Sequence, residues 1–266
     1  MSVFYAGLTG IALGSTISMG LLRPQQTGRG LFILIAACIA AILVITLGGL
    51  AQPVPVVSVA FFHSVAFWHW TWLIAVLFWI GLALWVPLRW SAWAWWGLIG
   101  IGLIWWLRAG ADLPTGPVSA GGWVRLLTVS GTYLLSALDM GTVSTAMVLG
   151  HWYLVNPALS IRALERMSLA YCTIACLRLC WAIGWTWLQW DTVRPLLTRY
   201  SLDTVFLFQR WGLGLFLAPV FAWMVYQTAK IRSTQSATGI LYAAMVVTLM
   251  GEFVGLYLWF HRGIMQ

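Results

Sequence analysis

The chain has 266 residues, of which 62% are hydrophobic and 8% charged, with a net charge of +8. An ordinary soluble domain carries about 25% charged residues, so this composition leaves no polar coat for water and excludes a soluble enzyme or binding module of the usual kind. Nucleic acid is excluded as a partner, because the basic residues are scattered through the breaks between apolar runs and build no basic arm.

Unbroken apolar runs of about 20 residues have the length of a membrane-spanning helix and lack the alternation of barrel strands. The expected fold is an all-α integral membrane protein: one polytopic domain over 1–266, a bundle of about eight transmembrane helices with short loops. The first run, roughly 3–22, carries no basic leader or cleavage signal and reads as a retained helix. After the break Arg23-Pro24-Gln25-Gln26 to Arg29, the second runs over roughly 31–51 and stops at Pro53 and Pro55. The stretch VVSVAFFHSVAFWHW (Val56–Trp70) is either the start of a long tilted third helix or a separate interfacial helix. The third and fourth spans cover roughly 66–87 and 91–107, parted at Arg89. After an Arg108–Arg125 loop come roughly 127–153, 168–190, 204–228 and 238–260. Their breaks fall at Asn156-Pro157 with Arg162 and Arg166, at Asp191–Asp203, and at Lys230–Ser236.

The first and fifth spans share a short run of small and hydroxyl residues followed by Met, Gly and Pro, in Gly14–Pro24 and Ser144–Pro157. Two four-helix halves, roughly 1–107 and 127–260, would place them equivalently. Loops on one side hold Arg23, Arg29, Arg89, Arg162, Arg166, Lys230 and Arg232; the other side holds Arg108, Arg125, Arg194, Arg199 and Arg262. Basic residues favour the cytoplasmic side. The expected location is therefore a bacterial-type inner membrane, with both termini on the non-cytoplasmic side.

A charge within a span is costly and needs a partner or a purpose. Four stand out: Asp139, Arg178, Arg210 and Glu252. Counting about 1.5 Å per residue puts Asp139 and Arg178 near mid-membrane, a deep pair, and Arg210 and Glu252 some six to eight residues from the outer end, a shallow pair. Two interhelical pairs are expected, Asp139 with Arg178 and Glu252 with Arg210, either as struts or as a polar path. Span five is the most polar, with Asp139, Thr142, Ser144 and His151. At about 100° per residue, Ser144 and His151 share one face while Asp139 and Thr142 share another. Ala137, Gly141 and Thr145 form a stripe of small residues that lets another helix approach.

His63, His69 and His261 lie toward one side and are the candidate axial ligands for a haem; His151 lies too far away to join them. Cys172, Cys176 and Cys180 repeat every fourth residue, too spread along one helix to close around one ion, and read as buried small hydrophobes. The 20 Trp gather at span ends, as interfacial anchors do, although flat aromatic faces also suit a haem or quinone. No phosphate loop or zinc motif is present. Three functions fit this pattern. The first is a membrane subunit of a redox or energy-converting complex, anchoring partner chains and holding a quinone or haem. The second is a small-solute or ion transporter with a path around Asp139 and Arg178. The third is a non-catalytic scaffold or assembly subunit. The short loops favour the complex subunit, without catalytic activity as an isolated chain. Against transport, no span is clearly broken at mid-membrane, although Gly212, Gly214 and Pro219 come near it.

Overall fold

The computed structural model describes residues 2–47, 65–86, 88–111, 122–156, 159–198, 201–264 and 266. Helices account for its regular structure: α1 (Val3–Met19), α2 (Pro24–Thr27), α3 (Arg29–Thr46), α4 (Val65–Trp85), α5 (Leu88–Ala111), α6 (Gly122–Val155), α7 (Arg162–Leu188), α8 (Trp190–Thr198), α9 (Leu202–Gln209), a π-helical segment (Arg210–Leu217), α10 (Ala218–Lys230) and α11 (Thr234–Arg262). No strand occurs among the described residues. Six helical stretches are long and apolar enough to cross a membrane: α3, α4, Thr128–Val155 of α6, α7, the continuous run Leu202–Lys230, and α11. α1 is a shorter apolar helix, and α5 is not one of the six. Of the 56–70 stretch, Val65–Trp70 already belongs to α4, while 56–64, with His63, lies outside the described residues.

α6 is the most enclosed of the six, because the stripe expected from its sequence meets a matching one. Gly14 of α1 and Gly141 of α6 lie backbone to backbone: a Cβ on Gly14 would fall 1.8 Å from the Ala137 carbonyl oxygen, and one on Gly141 would fall 2.1 Å from the Gly14 carbonyl carbon. Beside this crossing, Ser18 and Thr142 share a 2.8 Å hydroxyl hydrogen bond. α6 also packs against α7 and α11, and α1 against α3 and α5.

One end of the bundle gathers the arginine-bearing breaks. Arg166 donates to Gln26 of α2, Arg29 donates to the Leu84 and Val86 carbonyls at the end of α4, and residues 159–162 line a cavity with Arg232 and Thr234. At the other end, Ser2 accepts from the Tyr5 N–H and caps α1. Gly263, at φ 71, adopts the left-handed turn that closes α11. There an ion pair missed by the sequence reading, Arg262 with Asp203, ties α11 to α9.

The outward faces are apolar: Trp85, Phe78 and Trp187 are largely exposed. Cys176 and Cys180 are exposed and Cys172 half-buried, which corrects the buried reading of that stripe; it runs along the outer side of α7. Trp72, Trp79, Trp95 and Trp105 sit in the interior. End-anchoring therefore fails for Trp95, whose indole donates to the Thr16 carbonyl at 2.9 Å, and for Trp105.

Candidate functional site: a buried charge cluster

Counting from the arginine-bearing end, Asp139 lies 16 residues in from Val155 and Arg178 lies 16 from Arg162. Glu252 lies 18 from Thr234 and Arg210 lies 20 from Lys230. At about 1.5 Å per residue all four stand roughly 24–30 Å from that end. They form one layer, not a deep pair and a shallow pair. The two-level expectation failed because the helices run past the expected bounds, α7 starting six residues early at Arg162 and α11 four early at Thr234, which misplaced depths counted from those bounds.

Glu252 is the hub. Its Oε1 accepts from Arg178 Nε at 3.1 Å and from Arg210 Nη1 at 2.9 Å. Its Oε2 accepts from Arg178 Nη2 at 3.2 Å and from Ser136 at 2.5 Å. The pair Glu252–Arg210 forms as expected. Asp139–Arg178 does not, because Arg178 is turned as a two-pronged donor onto Glu252, an arrangement that suits its planar guanidinium.

Asp139 is buried, and neither of its carboxyl oxygens has a hydrogen-bond partner. It nevertheless lies within electrostatic reach of Glu252, Arg178 and Arg210. Two donors in the same layer, Arg178 Nη1 and Arg210 Nε, are also unbonded. Two acceptors and two donors of the layer are thus left unbonded, with Asp139 within electrostatic reach of both arginines. Below them Tyr171 and Thr248 share a 2.7 Å hydrogen bond.

The room for Arg210 comes from glycine. Gly214 of the π segment and Gly251 of α11 touch through their backbones, and a Cβ on Gly255 would fall 2.8 Å from Arg210 Nε. Arg210 therefore lies flat across α11, and its Nη2 reaches the Gln266 backbone oxygen at 3.4 Å. Pro219 cannot donate a backbone hydrogen bond to Leu215, so the chain ahead of it widens into π turns instead of closing as an α-helix. The Gly-Pro signal noted in the sequence is thus a real break in helical geometry, and its first residue is Arg210.

The rest of the expected span-five site divides. Thr142 is occupied by Ser18. Ser144 donates to its own Met140 carbonyl and faces a narrow apolar crevice with Ile35 and Cys38 of α3. His151 is exposed near the arginine-bearing end, 3.0 Å from the Tyr242 hydroxyl. None of these three joins the Asp139 layer.

His69 and His261 do not form a haem pair. His69 is fully buried, with Nδ1 bonded to the Tyr5 hydroxyl at 3.2 Å and Nε2 to the Leu43 carbonyl at 3.0 Å and Thr46 at 3.3 Å. Both ring nitrogens are used, which leaves neither for a metal. His261 is exposed against the Tyr257 ring. No group of three or more His, Cys, Asp or Glu positioned for a metal occurs among the described residues. Around His69 lies an aromatic cluster of Tyr5, Trp72, Trp105 and Tyr133, with ring centroids 5.4–6.5 Å apart. Tyr133 donates to the Ala6 carbonyl at 2.9 Å and also meets Thr9.

Comparison of the chain with protein-family models, with curated proteins and with solved structures finds no match.

Proposed function

We propose that the chain spans a membrane with about eight helices and transports a proton or a small ion-coupled solute through the layer built by Asp139, Arg178, Arg210 and Glu252. One observation carries this reading: a buried, unbonded carboxyl stands beside two arginines committed to another acid, where the neighbouring helix leaves α geometry. Breaks in transmembrane helices expose backbone and re-aim side chains at binding sites, and π segments concentrate at functional positions. A strut would leave no member unbonded; Asp139 carries a spare carboxyl at the centre. In this reading Asp139 takes up and releases the transported proton or cation, and the Arg178–Glu252–Arg210 bridge holds the helices in register around it. The apolar exterior supports the membrane setting. The gathering of Arg29, Arg162, Arg166 and Arg232 at one end supports placing that end in the cytoplasm of a bacterial-type inner membrane, with both termini opposite.

The test is reconstitution in liposomes with a pH-sensitive dye inside and a cation panel outside. Wild-type chain gives a flux that Asp139→Asn abolishes and Ser144→Ala leaves intact; equal flux in the Asp139→Asn chain would refute the assignment.

The aromatic cluster around His69 favours a second reading, the membrane subunit of a redox complex with partner chains and a quinone. An absorption spectrum and the set of co-purifying chains decide that reading independently of the flux.

A further inference from the structure

A second polar place lies at the arginine-bearing end, away from the charge layer. A cavity of 280 Å³ is lined by Tyr153, Ser160, Ile161, Arg162, Arg232 and Thr234, with Leu159 beside them. Arg162 and Arg232 carry no ion pair or side-chain hydrogen bond among the described residues; the three ion pairs there belong to Glu252 and Asp203. Glu165, one turn along α7, makes neither arginine an ion pair; it reaches Tyr153 electrostatically together with Arg166, which offsets it, so Arg162 and Arg232 leave the cavity cationic. Arg232 holds a left-handed backbone at φ 59, which L side chains rarely adopt, and the tight turn between α10 and α11 keeps it there at the cavity wall. Tyr153 forms the floor, fixed by its 2.5 Å hydrogen bond to the Ser160 carbonyl.

Two long helices begin at this cavity, α7 at Arg162 and α11 at Thr234, and neither start is closed by a side-chain cap. The Thr234 N–H is bonded to the Arg232 carbonyl at 3.1 Å and the Ala163 N–H to the Ser160 carbonyl at 3.4 Å, so each helix start adds the positive end of its dipole to the two guanidinium groups. Arginine pairs match the oxygens of a phosphate group, and basic pockets between membrane helices at the cytoplasmic face suit phosphate headgroups.

We infer that this cavity binds a phosphate-bearing anion, with Arg162 and Arg232 as its two clamps and Ser160 and Thr234 as hydroxyl donors. The same chemistry is carried by an anionic lipid headgroup and by a free phosphate, and the experiment separates them. Purified full-length chain in detergent is titrated with inorganic phosphate, with phosphatidylglycerol micelles and with phosphatidylcholine micelles. Thermal midpoint and lipid retention in native mass spectrometry are read. The expected result is saturable stabilisation by phosphatidylglycerol or phosphate that phosphatidylcholine does not match, weakened at least tenfold in Arg162→Gln/Arg232→Gln. Saturation by the lipid alone assigns a headgroup, and saturation by phosphate alone assigns a soluble ligand. Ser160→Phe, which fills the cavity from an exposed position without removing a charge, should weaken binding as much, while Arg108→Gln, at the opposite end of α5, should not. If neither probe saturates, or if the double variant and Ser160→Phe bind as tightly as wild type, the site does not exist.

Discussion

The two halves of the bundle treat buried polarity in opposite ways. Around α1, α3, α4 and α5 it is neutral: both nitrogens of His69 are bonded and Tyr133 is held by Ala6 and Thr9, while what is left unbonded, the buried indole N–H groups of Trp72 and Trp105, carries no charge. Around α6, α7, the π segment and α11 it is ionic and incomplete, with three charges locked together and a fourth carboxyl left over. Removing one partner from a buried ion pair leaves an uncompensated charge, which is far more costly than losing a neutral hydrogen bond. The lesson is one of division of labour. The neutral half sets shape, and the ionic half carries a group whose cost to stability is not returned by any bond it makes.

That contrast can be broken by substitution. Glu252→Ala should be the most damaging change, stranding Arg178 and Arg210 at a cost of about 3–5 kcal/mol, read as loss of a folded peak or a large drop in thermal midpoint in detergent. Gly141→Val should follow, since its side chain must push into the Gly14 backbone; overpacking of this kind costs about 1–3 kcal/mol or more. His69→Phe tests the neutral half: it removes the imidazole that joins Tyr5, Leu43 and Thr46, at about 1–3 kcal/mol for the site. Asp139→Asn should move the thermal midpoint least, by about 1 kcal/mol or less, because no hydrogen bond to either oxygen is lost. If Asp139→Asn destabilises as much as Glu252→Ala, the carboxyl is a strut after all and the two halves are alike.

Much of this was legible in the residues. The helical class follows from apolar runs, and the Ala137-Gly141-Thr145 stripe announced a close crossing that Gly14 supplies. The four charges were identifiable one by one. Their partners were not, because a sequence does not mark helix ends to better than a turn: α7 starts six residues and α11 four residues before the apolar runs suggest. Span-five polarity misled in the same way: Thr142, Ser144 and His151 are polar for separate local reasons, to Ser18, to Met140 and to Tyr242. The use of His69 was invisible, since its partners Tyr5 and Leu43 come from other helices. Gly251 and Gly255, which seat Arg210, carry a signal in their four-residue spacing around Glu252.

The crossing of Gly14 with Gly141 also bears on how the chain is made. Ser18 and Thr142, which flank it, are 124 residues apart, and ribosomes add about 5–20 residues per second. In the proposed membrane setting, then, for roughly 6–25 s after α1 leaves the ribosome its glycine groove faces lipid or an insertion chaperone in place of its permanent neighbour. A nascent first helix without its mate is a natural point for quality control to act, and slowing translation before residue 141 should lengthen its exposure to membrane proteases.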